Sequence, residues 1–245
     1  MRIDYLQGKS ILELILELPN FRWYLREGDD AVQEVKLEMI NFVYYERKKP
    51  RLEIDMYVPV NVTNELSRND LSFIETETER GIGLISKVRI RHPFDESKLF
   101  AHIPMIDFDM DEKYGFMNEK ELIDLIKQKT TETTELNSGV ILRSGTKRNY
   151  HFIGIGNLLS EEDFITFVGL ALKMKYKTID GKSLTLVDSW HMGNALTAMK
   201  YIAEVEKRRN PSTSWSRYGF IERFSTLRVN SKKGYEDYPR VVGYF

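Results

Sequence analysis

The sequence predicts an α/β (α+β) protein built around a mainly antiparallel sheet, and three patterns predict it. Short alternating or wholly apolar segments recur at residues 35–45, 51–60, 81–91, 101–111, 138–154, 184–187 and 224–230, as strands do. Longer segments at 5–18, 118–129 and 160–175 carry apolar residues three and four apart, the period of helices. Turn-forming residues stand between neighbouring strands, so that these pair as hairpins.

In order, residues 5–18 place apolar side chains at 11, 12, 14, 15 and 18 and are stopped by Pro19, a packing helix. After a turn-rich link, 35–45 and 51–60 read as two strands of a hairpin joined by the basic turn Arg47-Lys48-Lys49. Residues 61–80 are polar and read as a loop with a short helical piece. In the strand 81–91, Gly81-x-Gly83 lacks the third glycine of a dinucleotide fingerprint. Residues 101–111, AHIPMIDFDMD, form the next strand; side chains two apart share a face, so Phe108 enters a core while Asp107 and Asp109 stand side by side. Asn118 caps a helix to about Lys129, and 130–137 is a loop. A hairpin then runs from 138–143 through a turn at 146–149, where Asn149 suits left-handed backbone. Ser160 and Asp163 form an approximate capping box for a core helix to about Lys175. A glycine-containing turn at 177–182 precedes the strand 184–187, which ends in Asp188. The helix 189–209 ends in a basic cluster, and the loop 211–217 carries Trp215. Two last strands follow, 224–230 with Arg228 on the face opposite Leu227 and Val229, and the terminal YPRVVGYF.

With 245 residues the chain suffices for one large domain or two small ones, and 42% hydrophobic with 30% charged residues is a globular composition. Its 36 basic and 37 acidic residues leave no overall basic footprint, so any nucleic-acid contact must come from local patches. The absence of cysteine excludes disulfides and thiolate ligands, fits a reducing interior and leaves Asp, Glu and His to bind metal. The apolar run at 11–18 is interrupted by glutamates and too short to span a bilayer. The first residues lack a signal-peptide pattern. The expectation is a cytoplasmic protein with no membrane partner.

The chemistry concentrates in two stretches. Asp107 and Asp109 are spaced by about 6–7 Å along a strand, which suits carboxylates holding two divalent ions about 3.5–4 Å apart. Some thirty-five residues later, Ser144-Gly145 opens a turn with Lys147 and Arg148 at its tip, and His151 follows on an apolar strand. Each has a plainer reading alone: a solvated strand end, an exposed basic turn, a packed histidine. Together they point to metal and phosphate.

IDFD, then Ser144-Gly145, a basic residue and the strand-borne His151 resemble the catalytic core of the archaeo-eukaryotic primase (primase-polymerase) superfamily. The resemblance covers residues 100–245 and lies in the order and spacing of short motifs. It implies a recognition-motif-like, mainly antiparallel sheet, with an N-terminal α/β region (1–100) packed on the primase-like core (101–245) as one catalytic unit. Asp188, after an apolar strand, matches the third acidic residue; its plainer reading is the cap of the following helix. Asp107, Asp109 and Asp188 then become catalytic ligands of two Mg²⁺ or Mn²⁺ ions, oxygen donors favouring hard cations. Ser144 and His151 match the residues that contact the phosphates of an incoming nucleoside triphosphate, although six residues separate them here where many relatives have five. Arg228 matches a late arginine aimed at the triphosphate, and Lys147 suits the same oxygens.

The function this implies is metal-dependent nucleotidyl transfer, synthesising or extending a primer on a nucleic-acid template. A helicase or another replication or defence protein is the kind of protein partner expected. A metal-dependent nuclease needs the same carboxylates without the triphosphate clamp, and a catalytically silent nucleic-acid-binding module needs neither.

Overall fold

Pro104 stands in the middle of the stretch 101–111 and has no N–H to give a ladder. The chain accordingly leaves one sheet and enters another there. The computed structural model describes residues 4–11, 13–14, 34–43, 53–60, 81–92, 95–110, 114–144, 148–155, 158–189, 192–193, 195–196, 225–228 and 237–245. After a 3₁₀ turn at Asp4–Leu6 come β1 (Glu34–Val43), β2 (Glu53–Val60), β3 (Gly81–His92), β4 (Asp95–His102) and β5 (Met105–Asp109). They are followed by α1 (Glu119–Thr134), β6 (Gly139–Arg143), β7 (Asn149–Gly154) and α2 (Glu161–Ala171). The short hairpin β8 (Lys175–Lys177) and β9 (Ser183–Thr185), then β10 (Thr226–Arg228) and β11 (Arg240–Tyr244), complete the order. The fold is mixed α/β with antiparallel sheets.

In the first sheet β1 pairs with β2 as the hairpin pattern predicts, and β3 pairs with β1 on one side and with both β4 and β10 on the other. The second sheet has the order β11-β6-β7-β5. An isolated bridge between Phe108 and Val187 adds the segment 186–188 beyond β5. The single strand expected over 101–111 is therefore two strands in different sheets. At the crossing Ile103 N–H donates to Ser86 O at 2.7 Å and Gly154 N–H to Pro104 O at 2.8 Å. The two halves of the chain are interleaved: β10 joins the sheet of the early strands, and Gly8 and Lys9 exchange backbone hydrogen bonds with Val241 of β11 at 2.8 Å.

Those same bonds, with Gly8 at φ 80°, keep residues 4–9 out of the helix expected over 5–18. Helix begins at Ile11, where the Ser10 hydroxyl accepts from Glu13 N–H at 3.0 Å and the Glu13 carboxylate accepts from Ser10 N–H at 2.8 Å. The rest of that stripe lies outside the described residues, as do the loop 61–80 and the tail of the helix 189–209. Asn118 and Glu121 form a full capping box at α1, with bonds of 3.0 and 2.7 Å. The helix runs to Thr134 instead of Lys129: Thr130 is buried, and the Thr134 hydroxyl donates to Thr130 O at 2.7 Å. Asn118→Ala is expected to lower stability by about 1 kcal/mol, read by chemical denaturation. α2 ends at Ala171, four residues short of the expected Lys175, because Met174 O turns away to accept Leu186 N–H at 3.3 Å and the chain enters β8.

One face of the second sheet is the core. Ile106 and Phe108 of β5, Ile141 of β6 and Tyr150 and Phe152 of β7 pack with Leu122, Leu125 and Ile126 of α1 and Phe164, Phe167 and Val168 of α2. Both helices lie on that face, so strand alternation turns Asp107, Asp109, Ser144, Asn149 and His151 to the other. Near the crossing, the buried His102 ring stacks on Phe164 at 4.2 Å and its Nε2 lies 2.9 Å from a Glu161 carboxylate oxygen. This contact joins the end of β4 to the first turn of α2. Among the described residues no helix is long and apolar enough to cross a membrane.

Candidate active site

The β5·β7 ladder sets Asp107 opposite His151 and Asp109 opposite Asn149. On the other edge of β5, Asp109 N–H donates to Leu186 O at 3.1 Å and Asp188 N–H to Asp107 O at 2.9 Å. Asp107 is thus flanked on both sides, by His151 and by Asp188. Cross-strand neighbours on one face hold their Cβ atoms about 4.5–5.5 Å apart. The Asp107 Oδ1 lies 3.6 Å from His151 Nε2; the imidazole is almost wholly buried, while the carboxylate is 22% exposed. Asp109 and Asp188 are half-buried, and Phe108 between the first two carboxylates is fully buried, as alternation predicts.

Asp188 also begins the next helix, its carbonyl accepting from Met192 N–H at 2.9 Å. The backbone thereby makes this residue both a strand neighbour of Asp107 and the residue that opens a helix. Ser144 directly follows β6; its N–H donates to Asn149 O at 2.7 Å, and its buried hydroxyl accepts from Arg228 Nη2 at 3.1 Å. That bond spans the two sheets and brings the late arginine onto the same face as the carboxylates. Lys147 lies outside the described residues. Arg148, expected at the tip with it, instead turns back to donate to Tyr114 O at 3.2 Å and Met117 O at 2.6 Å.

Asn149 is the residue that pattern reading passes over. Its suitability for a turn masked its role as the first residue of β7, directly across from Asp109, with a buried Oδ1 that finds no hydrogen-bond partner among the described residues. A polar side chain at the mouth of a hairpin, in register with an acidic residue, is the signal that locates it. Tyr114 marks the far edge of the site: its hydroxyl donates to Thr185 O at 3.2 Å, and its pKa is pushed up to about 12 by burial, then by the nearby charges of Asp109 and Tyr176.

Among the described residues no three histidine, aspartate or glutamate side chains are gathered to hold a metal ion. In donor chemistry the cluster suits a hard divalent cation, being carboxylate oxygens with one imidazole. The backbone stands Asp107 beside Asp188. Family models, curated proteins and solved structures were all compared with the chain, and none matches it.

Proposed function

We propose that this protein is a metal-dependent nucleotidyltransferase of the primase-polymerase type, extending or synthesising a nucleic-acid primer from nucleoside triphosphates. The observation that carries the reading is the flanking of Asp107 by His151 and Asp188, with Arg228 held to Ser144 on the same face. Topology supports it. The chain order β5, α1, β6, β7, α2, 186–188 with the spatial order 186–188, β5, β7, β6 is the split βαβ arrangement of a recognition-motif-like sheet. Both helices cover one side and leave the other to the site. The pairing of β10 with β3 supports reading 1–100 and 101–245 as one catalytic unit.

In this reading Asp107, Asp109 and Asp188 hold two Mg²⁺ or Mn²⁺ ions. Bound there, they supply Lewis-acid stabilisation of the attacking 3′ oxygen and the departing pyrophosphate. The protein contributes position and charge. His151, buried and fixed by the ladder beside Asp107, donates toward a phosphate oxygen. The Arg228 guanidinium, which keeps its charge at any working pH, offers charge-assisted donors to the triphosphate. Lys147, which lies between β6 and β7 in the sequence, is proposed as a second cation for the triphosphate.

The test is extension of a primed template with labelled nucleotides and Mn²⁺ by the full chain, together with Arg228→Ala. Extension by the wild type and a nucleotide KM raised about ten-fold or more in the variant are expected. Template cleavage without triphosphate, untouched by Arg228→Ala, assigns the site to a nuclease instead.

A further inference from the structure

Asn149 stands in the middle of a row of cross-strand neighbours. On one side the ladder sets it opposite Asp109. On the other, Ser144 N–H donates to Asn149 O at 2.7 Å, which carries the pairing of β6 with β7 one residue beyond Arg143 and Tyr150. Paired residues of an antiparallel sheet turn their side chains to the same face, with Cβ atoms about 4.5–5.5 Å apart. The row therefore runs from a carboxylate, through an amide, to the hydroxyl that accepts from Arg228 at 3.1 Å. Asp107 and His151 are paired two residues further along the same two strands and so share this face.

Asn149 as a whole is half-buried, but its Oδ1 is shut from water and accepts no hydrogen bond among the described residues. A buried acceptor left in that condition costs about 1–3 kcal/mol. The cation next to it in sequence does not relieve it, since Arg148 donates to the carbonyls of Tyr114 and Met117. Nor does Asp109 supply a donor: an ionised carboxylate has no proton to give an amide oxygen. What can join these two oxygens is a cation or a donor brought from outside. An oxygen that water does not reach is open to a small dehydrated ion sooner than to a hydroxyl carried on a bulky nucleotide. Amide carbonyls, like carboxylates, are the donors that hard divalent cations take.

We propose that Asn149 Oδ1 is a further ligand of the divalent cation held at Asp109, the neutral member of an otherwise anionic set of oxygens. Charge favours an amide in this place. Asp107, Asp109 and Asp188 already bring three carboxylates onto adjacent strands, and a fourth opposite Asp109 would add like-charge repulsion whenever the ion is absent. The amide adds a donor without adding a charge. The inference rests on the nucleotidyl-transfer reading only for the use made of the ion, since the binding itself requires neither nucleotide nor template.

The experiment is titration of the full chain with Mn²⁺ alone, the free ion being measured by its electron paramagnetic resonance signal, for the wild type, Asn149→Leu and Asn149→Asp. Asn149→Leu keeps the bulk and removes the oxygen. It is expected to bind Mn²⁺ about ten-fold or more weakly, yet to melt no lower than the wild type without metal, because an unsatisfied acceptor is lost with the amide. Asn149→Asp keeps an oxygen and adds a charge. It should bind Mn²⁺ at least as tightly as the wild type and melt lower than it only when metal is absent. Equal Mn²⁺ affinity of Asn149→Leu and the wild type overturns the ligand role, as does loss of binding in both variants, since removal of the oxygen is then not the cause. Primer extension assayed in parallel separates the two ideas: Mn²⁺ binding that weakens in Asn149→Leu without any extension by the wild type keeps the ligand and removes the nucleotidyl-transfer reading. Extension by the wild type with Mn²⁺ affinity unchanged in Asn149→Leu does the reverse, and a wild type that binds no Mn²⁺ overturns both.

Discussion

Asp107→Asn is expected to reduce primer extension by about a hundred-fold or more, since removing even a group that only supports a metal ligand costs 10–100-fold. The substitution changes almost no volume. It removes one negative charge from between His151 and Asp188 and leaves the backbone bond from Asp188 to Asp107 untouched. With a like-charged neighbour on the adjacent strand, losing the charge relieves repulsion, so the variant should melt no lower than the wild type. Loss of extension with retained melting temperature separates chemistry from folding. A second readout follows from linkage. An ion that binds only the folded state stabilises it by about 2.7 kcal/mol at a hundred times its Kd. Mn²⁺ should therefore raise the melting temperature of the wild type and raise that of Asp107→Asn less. Extension that survives the substitution, or an equal Mn²⁺ effect on both proteins, removes Asp107 from the ligand set.

Gly139→Ala should destabilise the fold by about 1–3 kcal/mol, although alanine is ordinarily better tolerated than glycine in a strand. The backbone at Gly139 is not left-handed; the requirement is space. A Cβ there would stand 2.2 Å from Phe152 Cε2, 2.6 Å from its Cζ and 2.8 Å from Ile153 O. Ile153 is paired with both Val140 and Met105, and its carbonyl has nowhere to go. The Phe152 ring is fully buried and stacked on Phe245 at 5.5 Å. Phe152→Ala alone empties that volume and should cost about 3–5 kcal/mol. In the double variant the new methyl enters part of the vacated space, so the combined cost should fall short of the sum. Denaturant titrations of the four proteins measure the difference, and strict additivity would place the strain elsewhere than against Phe152.

Residue chemistry alone located most of the elements around the site. The inward Phe108 and the two outward carboxylates follow from the period of a strand, and the structure buries the first and half-buries the others. The cap at Asn118 and the hairpin β6–β7 were equally legible, because a cap and a turn are decided by residues within a few positions of one another. Two of the misplaced elements share one cause. Residues 5–9 are drawn out of their helix by bonds to Val241, more than two hundred positions away, and Met174 is drawn out of the next by Leu186. A partner that distant leaves no period in the local sequence.

Which face of the chain bears chemistry was thus written in alternation, a property of each strand taken singly. Which strands meet was not. That Asp188 lies beside Asp107, that Arg228 reaches Ser144 from another sheet, and that Asn149 faces Asp109 are matters of register. Register is settled by burying the apolar face of every strand against the helices at once, so only the folded chain decides it.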